Sequence, residues 1–133
     1  MYANDCLDTY SLCTLLVHLH SSIMAHRVQV FSRELNDINN FKHDKQICNR
    51  IIDEGRKELV HCICDCVYNI LQDNIPIDEE EKEKLNRYRH CLRKLVNEKT
   101  SYSRRKRLIQ DGGLLGPLIP ILVGLVGKLF TGQ

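Results

Sequence analysis

The 133-residue sequence has no tryptophan, only three prolines and only seven glycines. With so few helix breakers, and no apolar–polar alternation long enough for a strand, the chain reads as almost all helix. No glycine loop of the phosphate-cradling kind is present: Gly112-Gly113 lies between a basic stretch and an apolar run, not between a strand and a helix. The one run of carboxylates, Glu79 to Glu81, fits a helix start. No serine, cysteine or histidine stands in a spacing that builds a nucleophile with its base. These gaps speak against an enzyme and give no reason to expect a cofactor. The first residues hold Asn4, Asp5 and Asp8 but no basic side chain, so a secretory leader is not expected. The apolar stretch Leu12–Leu19 is interrupted by His18 and is too short to span a bilayer.

Seven cysteines cannot all pair internally, so reduced thiols in a cytosolic or nuclear setting are expected. His61, Cys62, Cys64 and Cys66 resemble a metal-ligand cluster at first sight. Their spacing is C-x-C-x-C, no second cluster sits at a fitting distance, and a helix would set Cys64 apart from Cys62 and Cys66. Small apolar core cysteines are the better reading, and no metal is expected. His18, His20, His26, His43 and His90 have no evident partners.

Apolar spacing marks the helices. Asp5 caps a first one carrying Tyr10, Cys13, Leu16 and Leu19; Val28, Phe31, Leu35 and Ile38 line a second, broken at Asn36 to Asn40; Ile47, Ile51 and Ile52 form a short stripe before Gly55. The strongest core candidate runs from Arg56 to Leu71, with Leu59, Ile63, Val67, Ile70 and Leu71 joined by Cys62 and Cys66. After a turn at 72–76, Asp78 and Glu81 form a capping-box pattern that predicts a helix to about Asn97, with Leu85, Tyr88, Leu92, Leu95 and Val96 inward. Ser101 or Ser103 caps a short basic helix, Arg104 to Gln110, which Gly112 and Gly113 stop. The expected fold is all-α: a small helical bundle over 1–97, a basic linker or short helix over 98–111, and an apolar helical tail over 112–133. Met24 is an alternative start, which would make 1–23 upstream sequence.

The net charge of +2 hides an asymmetry. Residues 1–83 carry eight Lys/Arg against fifteen Asp/Glu; residues 84–107 carry ten against one. A block this basic points to an anionic partner. Arg87, Arg89, Arg93, Lys94, Lys99, Arg104, Arg105, Lys106 and Arg107 are the candidate phosphate-binding residues, with Tyr88 and Tyr102 interleaved. Arg104 to Arg107 also fit a nuclear localisation signal.

From Gly112 to Gly127 no residue is charged. As a helix those residues reach about 24 Å, short of the ~30 Å hydrocarbon core, and Pro117 and Pro120 weaken the early turns. An interfacial segment held by the preceding cations is the expected form, with Leu114, Leu115, Leu118, Ile119, Ile121, Leu122, Val123, Leu125, Val126, Leu129 and Phe130 as its membrane-facing residues. The competing reading is a buried C-terminal core helix.

A basic run leading into Gly112-Gly113-Leu114-Leu115-Gly116-Pro117-Leu118-Ile119-Pro120-Ile121-Leu122 resembles the C-terminal part of the adenovirus minor core protein precursor pX. A closer resemblance is to small virion proteins of Maverick/Polinton elements and adintoviruses. They share a cysteine-rich helix like Cys62 to Leu71, an Asn-x-Pro turn like Asn74-Ile75-Pro76, Leu92-Arg93-Lys94-Leu95-Val96, and the basic run Arg105 to Gly113. The likeness covers about residues 56–130. It implies a non-enzymatic virion-associated protein that binds viral DNA non-specifically, meets capsid proteins, and acts on a membrane during entry, located in the virion and the host nucleus. It also implies a protease cut between Gly113 and Leu114, although Gln110 stands where the family's cut carries an apolar residue. The alternative is a host-directed helical adaptor, death-fold-like, tethered by its apolar tail.

Overall fold

The computed structural model describes residues 24–130, with side chains placed as far as Gly127. The helix expected from Asp5, and with it His18 and His20, lies outside the described residues. Among those described the fold is all-α: α1 (24–30), α2 (Ser32–Asn40), α3 (Lys45–Glu54), α4 (Lys57–Leu71), α5 (Glu79–Asn86), α6 (Arg89–Val96), α7 (Tyr102–Asp111) and α8 (Leu115–Phe130). α1 and α2 are nearly continuous, since the Phe31 N–H donates to the Arg27 carbonyl and the Leu35 N–H to that of Phe31. The break expected at 36–40 falls instead at Phe41 to His43. Leu35 and Ile38 are fully buried, and that burial outweighs the preference of Asn36, Asn39 and Asn40 for turns.

α3 starts on the Asp44 side chain, which accepts from the Ile47 N–H at 3.2 Å, and stops at Gly55. Its inward face is Cys48 and Ile52, with Ile51 packed at the edge. α4 is buried over most of its circumference, including Cys62, Cys64, Cys66 and the polar Asn69. The Asn69 amide donates to the Asp65 carbonyl at 2.8 Å and accepts from the Asn74 amide at 3.1 Å, while the Asn74 N–H donates to the Asn69 carbonyl. This clamp satisfies a buried amide and folds the chain back past Asp73, whose φ of 58° is left-handed, so that Ile75 enters the core.

The capping box forms as the sequence predicts: Asp78 accepts from the Glu81 N–H at 2.8 Å and Glu81 from the Asp78 N–H at 3.1 Å. The single helix expected over 79–97 is, however, two helices joined by a turn at Arg87 and Tyr88. The bend lets α5 pack on α8 while α6 packs on α4 and α7, which one straight rod would not do.

The largest departure from expectation is α8. It packs against α2 and α5, and Leu114, Leu118, Ile119 and Leu122 have no solvent exposure. Leu115, Ile121 and Leu125 are also buried, and Val123 and Val126 pack at the edge of the same core. Seven of the eleven residues expected on a membrane-facing tail are therefore buried in the core and Val123 and Val126 are partly so; the Leu129 and Phe130 side chains lie outside the described residues. Advancing about 100° per residue, the exposed positions Gly116, Pro120, Gly124 and Gly127 fall on one arc and the large side chains on the opposite one. The helix is two-faced, with glycine and proline occupying the solvent side where charged residues usually stand. Pro120 removes a bond to the Gly116 carbonyl, and both residues are exposed, so water replaces it. Burying seven large side chains at about 1.5–3 kcal/mol each gives roughly 10 kcal/mol or more, comparable to the whole stability of a small domain. Withdrawing α8 would thus amount to unfolding.

Candidate nucleic-acid interface

The structure divides the nine basic residues singled out by the sequence. α7 is set by Ser101, whose hydroxyl accepts from the Arg104 N–H at 3.3 Å, and it ends at Gly112. Its Ile109 is fully buried, which fixes the rotation of the helix. That rotation turns Arg105 and Lys106 toward the body. Arg105 is half-buried and donates through Nη2 to the Asn97 carbonyl at 2.8 Å. Lys106 pairs through Nζ with Asp53 of α3 at 2.8 Å. Gln110 adds Nε2 donations to Asp53 at 2.9 Å and to the Asn49 carbonyl at 3.4 Å, and Lys45 reaches Asp111 at 3.6 Å.

These contacts make a polar seam between α3 and α7. Hydrogen bonds from Lys106 and then Gln110 hold the Asp53 carboxyl below its ordinary value, and the bond to Asp53 in turn raises Lys106. A carboxylate lowered in this way keeps its contribution above its ordinary pKa and loses it only as pH falls through the lowered value. The Lys106–Asp53 pair therefore survives mild acid.

The other seven cations are exposed. Arg87, Arg89, Arg93, Lys94, Lys99, Arg104 and Arg107 make no ion pair among the described residues. Arg104 and Arg107 line an open groove of about 620 Å³ with Ser101, Ser103, Leu108 and one acid, Asp111. Unpaired guanidinium groups beside serine hydroxyls offer bidentate and single donors to phosphate oxygens.

The interleaved aromatics are partly buried. Tyr102 is half-buried, with its ring 5.7 Å from that of His61 and the Lys57 ammonium 5.3 Å from its centre. Tyr88 packs at the edge of the core. Each keeps part of its ring in packing, Tyr102 against α4 and Tyr88 against the core.

Among the described residues no group of histidine, cysteine and acidic side chains is placed to hold a metal. Burial pushes the Cys64 thiol up to about 11. The Cys66 thiol rises well above its ordinary value, chiefly through its interaction with Cys62 and then through burial. At the expected processing position Gly113 is exposed with a φ of 68°, while Leu114 is fully buried, so the two sides of that bond differ sharply in access. The α3–α7 seam had no signal in the sequence, because its partners are 53 or more positions apart.

Set against protein-family models, curated proteins and solved structures, nothing matches this chain.

Proposed function

We propose that this chain is a non-enzymatic, virion-associated protein of an adenovirus-like element that binds nucleic acid through its phosphates, without reading sequence. The observation that carries the reading is the set of seven exposed cations from α5's end to α7 that have no acidic partner among the described residues, while Lys82 and Lys84 of the acidic stretch are paired with Glu79 and Glu80. Surface charge left uncompensated at this density favours a polyanion. The virion setting, the host nucleus and contact with capsid proteins rest on the resemblance of residues 56–130.

The test is retention of duplexes of unrelated sequence. The wild-type chain should hold them with similar affinity. Arg104→Glu/Arg107→Glu should weaken all of them at least tenfold, whereas Lys106→Met, which removes a charge already paired with Asp53, should change affinity by less than about threefold. If the double variant retains DNA as the wild type does, or Lys106→Met loses as much, the reading fails.

Membrane engagement by residues 114–130 would require α8 to leave α2 and α5. No single helix among the described residues is long and apolar enough to cross a membrane; only α7 and α8 pass together, bent by 101°. The groove on α7 therefore supports nucleic acid better than α8 supports a bilayer.

A further inference from the structure

A second groove, of about 310 Å³, opens between the end of α4, the 72–78 turn, α5 and α6. Its lining includes Leu71, Ile77, Leu85 and Leu92. Leu85 and Leu92 are buried in the core beneath it, while Leu71 is 38% exposed. Tyr68, one turn earlier on α4, is another of the few exposed large apolar side chains. Lys82, Arg89 and Arg93 stand around this apolar lining, with Asp73 as the one acid. Arg89 and Arg93 make no ion pair among the described residues, and Lys82 has only an exposed 3.7 Å contact with Glu79.

We infer that this groove docks an acidic amphipathic helix of a partner protein, its apolar side chains against Leu71 and Ile77 and its carboxylates on Arg89, Arg93 and Lys82. The argument is complementarity of both kinds at one place. An apolar lining gains nothing from a phosphate backbone, and Asp73 repels one, so nucleic acid fits the α7 groove better. A second copy docking through its most acidic described stretch, Asp78 to Glu83, would supply charge without anchors, because that stretch has no apolar side chain. A helix in a groove with leucine-type anchors at i, i+3 or i+4 and acids on its flanks satisfies both halves.

The inference shares Arg89 and Arg93 with nucleic-acid binding, and the apolar anchor Leu71, which has no part in phosphate binding, separates the two. The probe is a labelled synthetic helix of about four turns, leucine on one face and glutamate on the rest, titrated by fluorescence anisotropy with the full chain. Two counterparts carry serine for leucine or lysine for glutamate. The leucine–glutamate helix should bind and both counterparts should bind at least tenfold more weakly. Leu71→Ser, a substitution at a partly exposed position, should weaken the probe at least tenfold while leaving duplex retention and helicity by circular dichroism unchanged; Arg89→Gln/Arg93→Gln should weaken it comparably. Equal binding of the serine counterpart would reduce the groove to a charged patch and overturn the inference, as would an unchanged affinity in Leu71→Ser. Displacement of the probe by duplex DNA from wild type but not from Arg104→Glu/Arg107→Glu would place the probe in the α7 groove, also overturning it. Concentration-dependent self-association that Leu71→Ser abolishes would assign the groove to a second copy instead.

Discussion

Single side chains decide what the basic block can do. Arg105 and Lys106 look no different in the sequence from Arg104 and Arg107, yet one pair ties α7 to the body and the other faces water. The rotation of α7, fixed by the burial of Ile109 with Tyr102 and Leu108 packed beside it, separates them. The cysteines show the same dependence on surroundings. Cys64 keeps its proton to about 11 because burial penalises the thiolate. In the unfolded chain the thiol ionises near its ordinary 9.0, so its contribution to stability is complete below that pH and is lost as pH rises toward 11. Two pH units correspond to about 3 kcal/mol. The urea midpoint should therefore fall between about pH 8 and pH 10.5, and the fall should be shallower in Cys64→Ala, whose cavity lowers stability at both. An identical fall in the variant would contradict the placement of Cys64.

Elements carry the second lesson, and α8 is the clearest case. Its sixteen-residue apolar composition reads as a free tail, because leucine, isoleucine and valine dominate any average over it. Glycines 116, 124 and 127, together with Pro120, recur at spacings of four, four and three. That period was legible and marks a solvent face built without polar side chains. Leu122→Ala should cost about 2–5 kcal/mol by chemical denaturation, whereas Gly124→Ala, where an added Cβ meets nothing within 4 Å, should be neutral or slightly stabilising. A Leu122→Ala effect below about 1 kcal/mol would place α8 outside the core. Caps and stops were legible for the same reason that they form: Asp78 with Glu81, Ser101, Gly55 and Gly112 act within four residues. The division of 79–97 into α5 and α6 was not legible, since no glycine or proline marks it and the demand comes from α8, α4 and α7 around it. The clamp between Asn69 and Asn74 belongs with the local signals, although its role in burying Ile75 emerges only from the fold.

At the scale of the whole molecule the charge asymmetry survives folding. The acids of α5 lie at its start with two lysine partners, while the exposed cations from Arg87 to Arg107 remain uncompensated among the described residues. The apolar segment that follows is buried in the core as far as Leu125, so among the described residues the surface presents cationic grooves. Each phosphate neutralised releases counterions, which makes salt dependence the most direct reading of that surface. The decisive measurement is the slope of log affinity against log salt for a duplex of arbitrary sequence, over about 50–200 mM. Seven available cations set a limit near −6, and Arg104→Gln/Arg107→Gln should flatten the wild-type slope by about 2. A slope near zero, or one that the double variant leaves unchanged, would contradict phosphate binding by these cations.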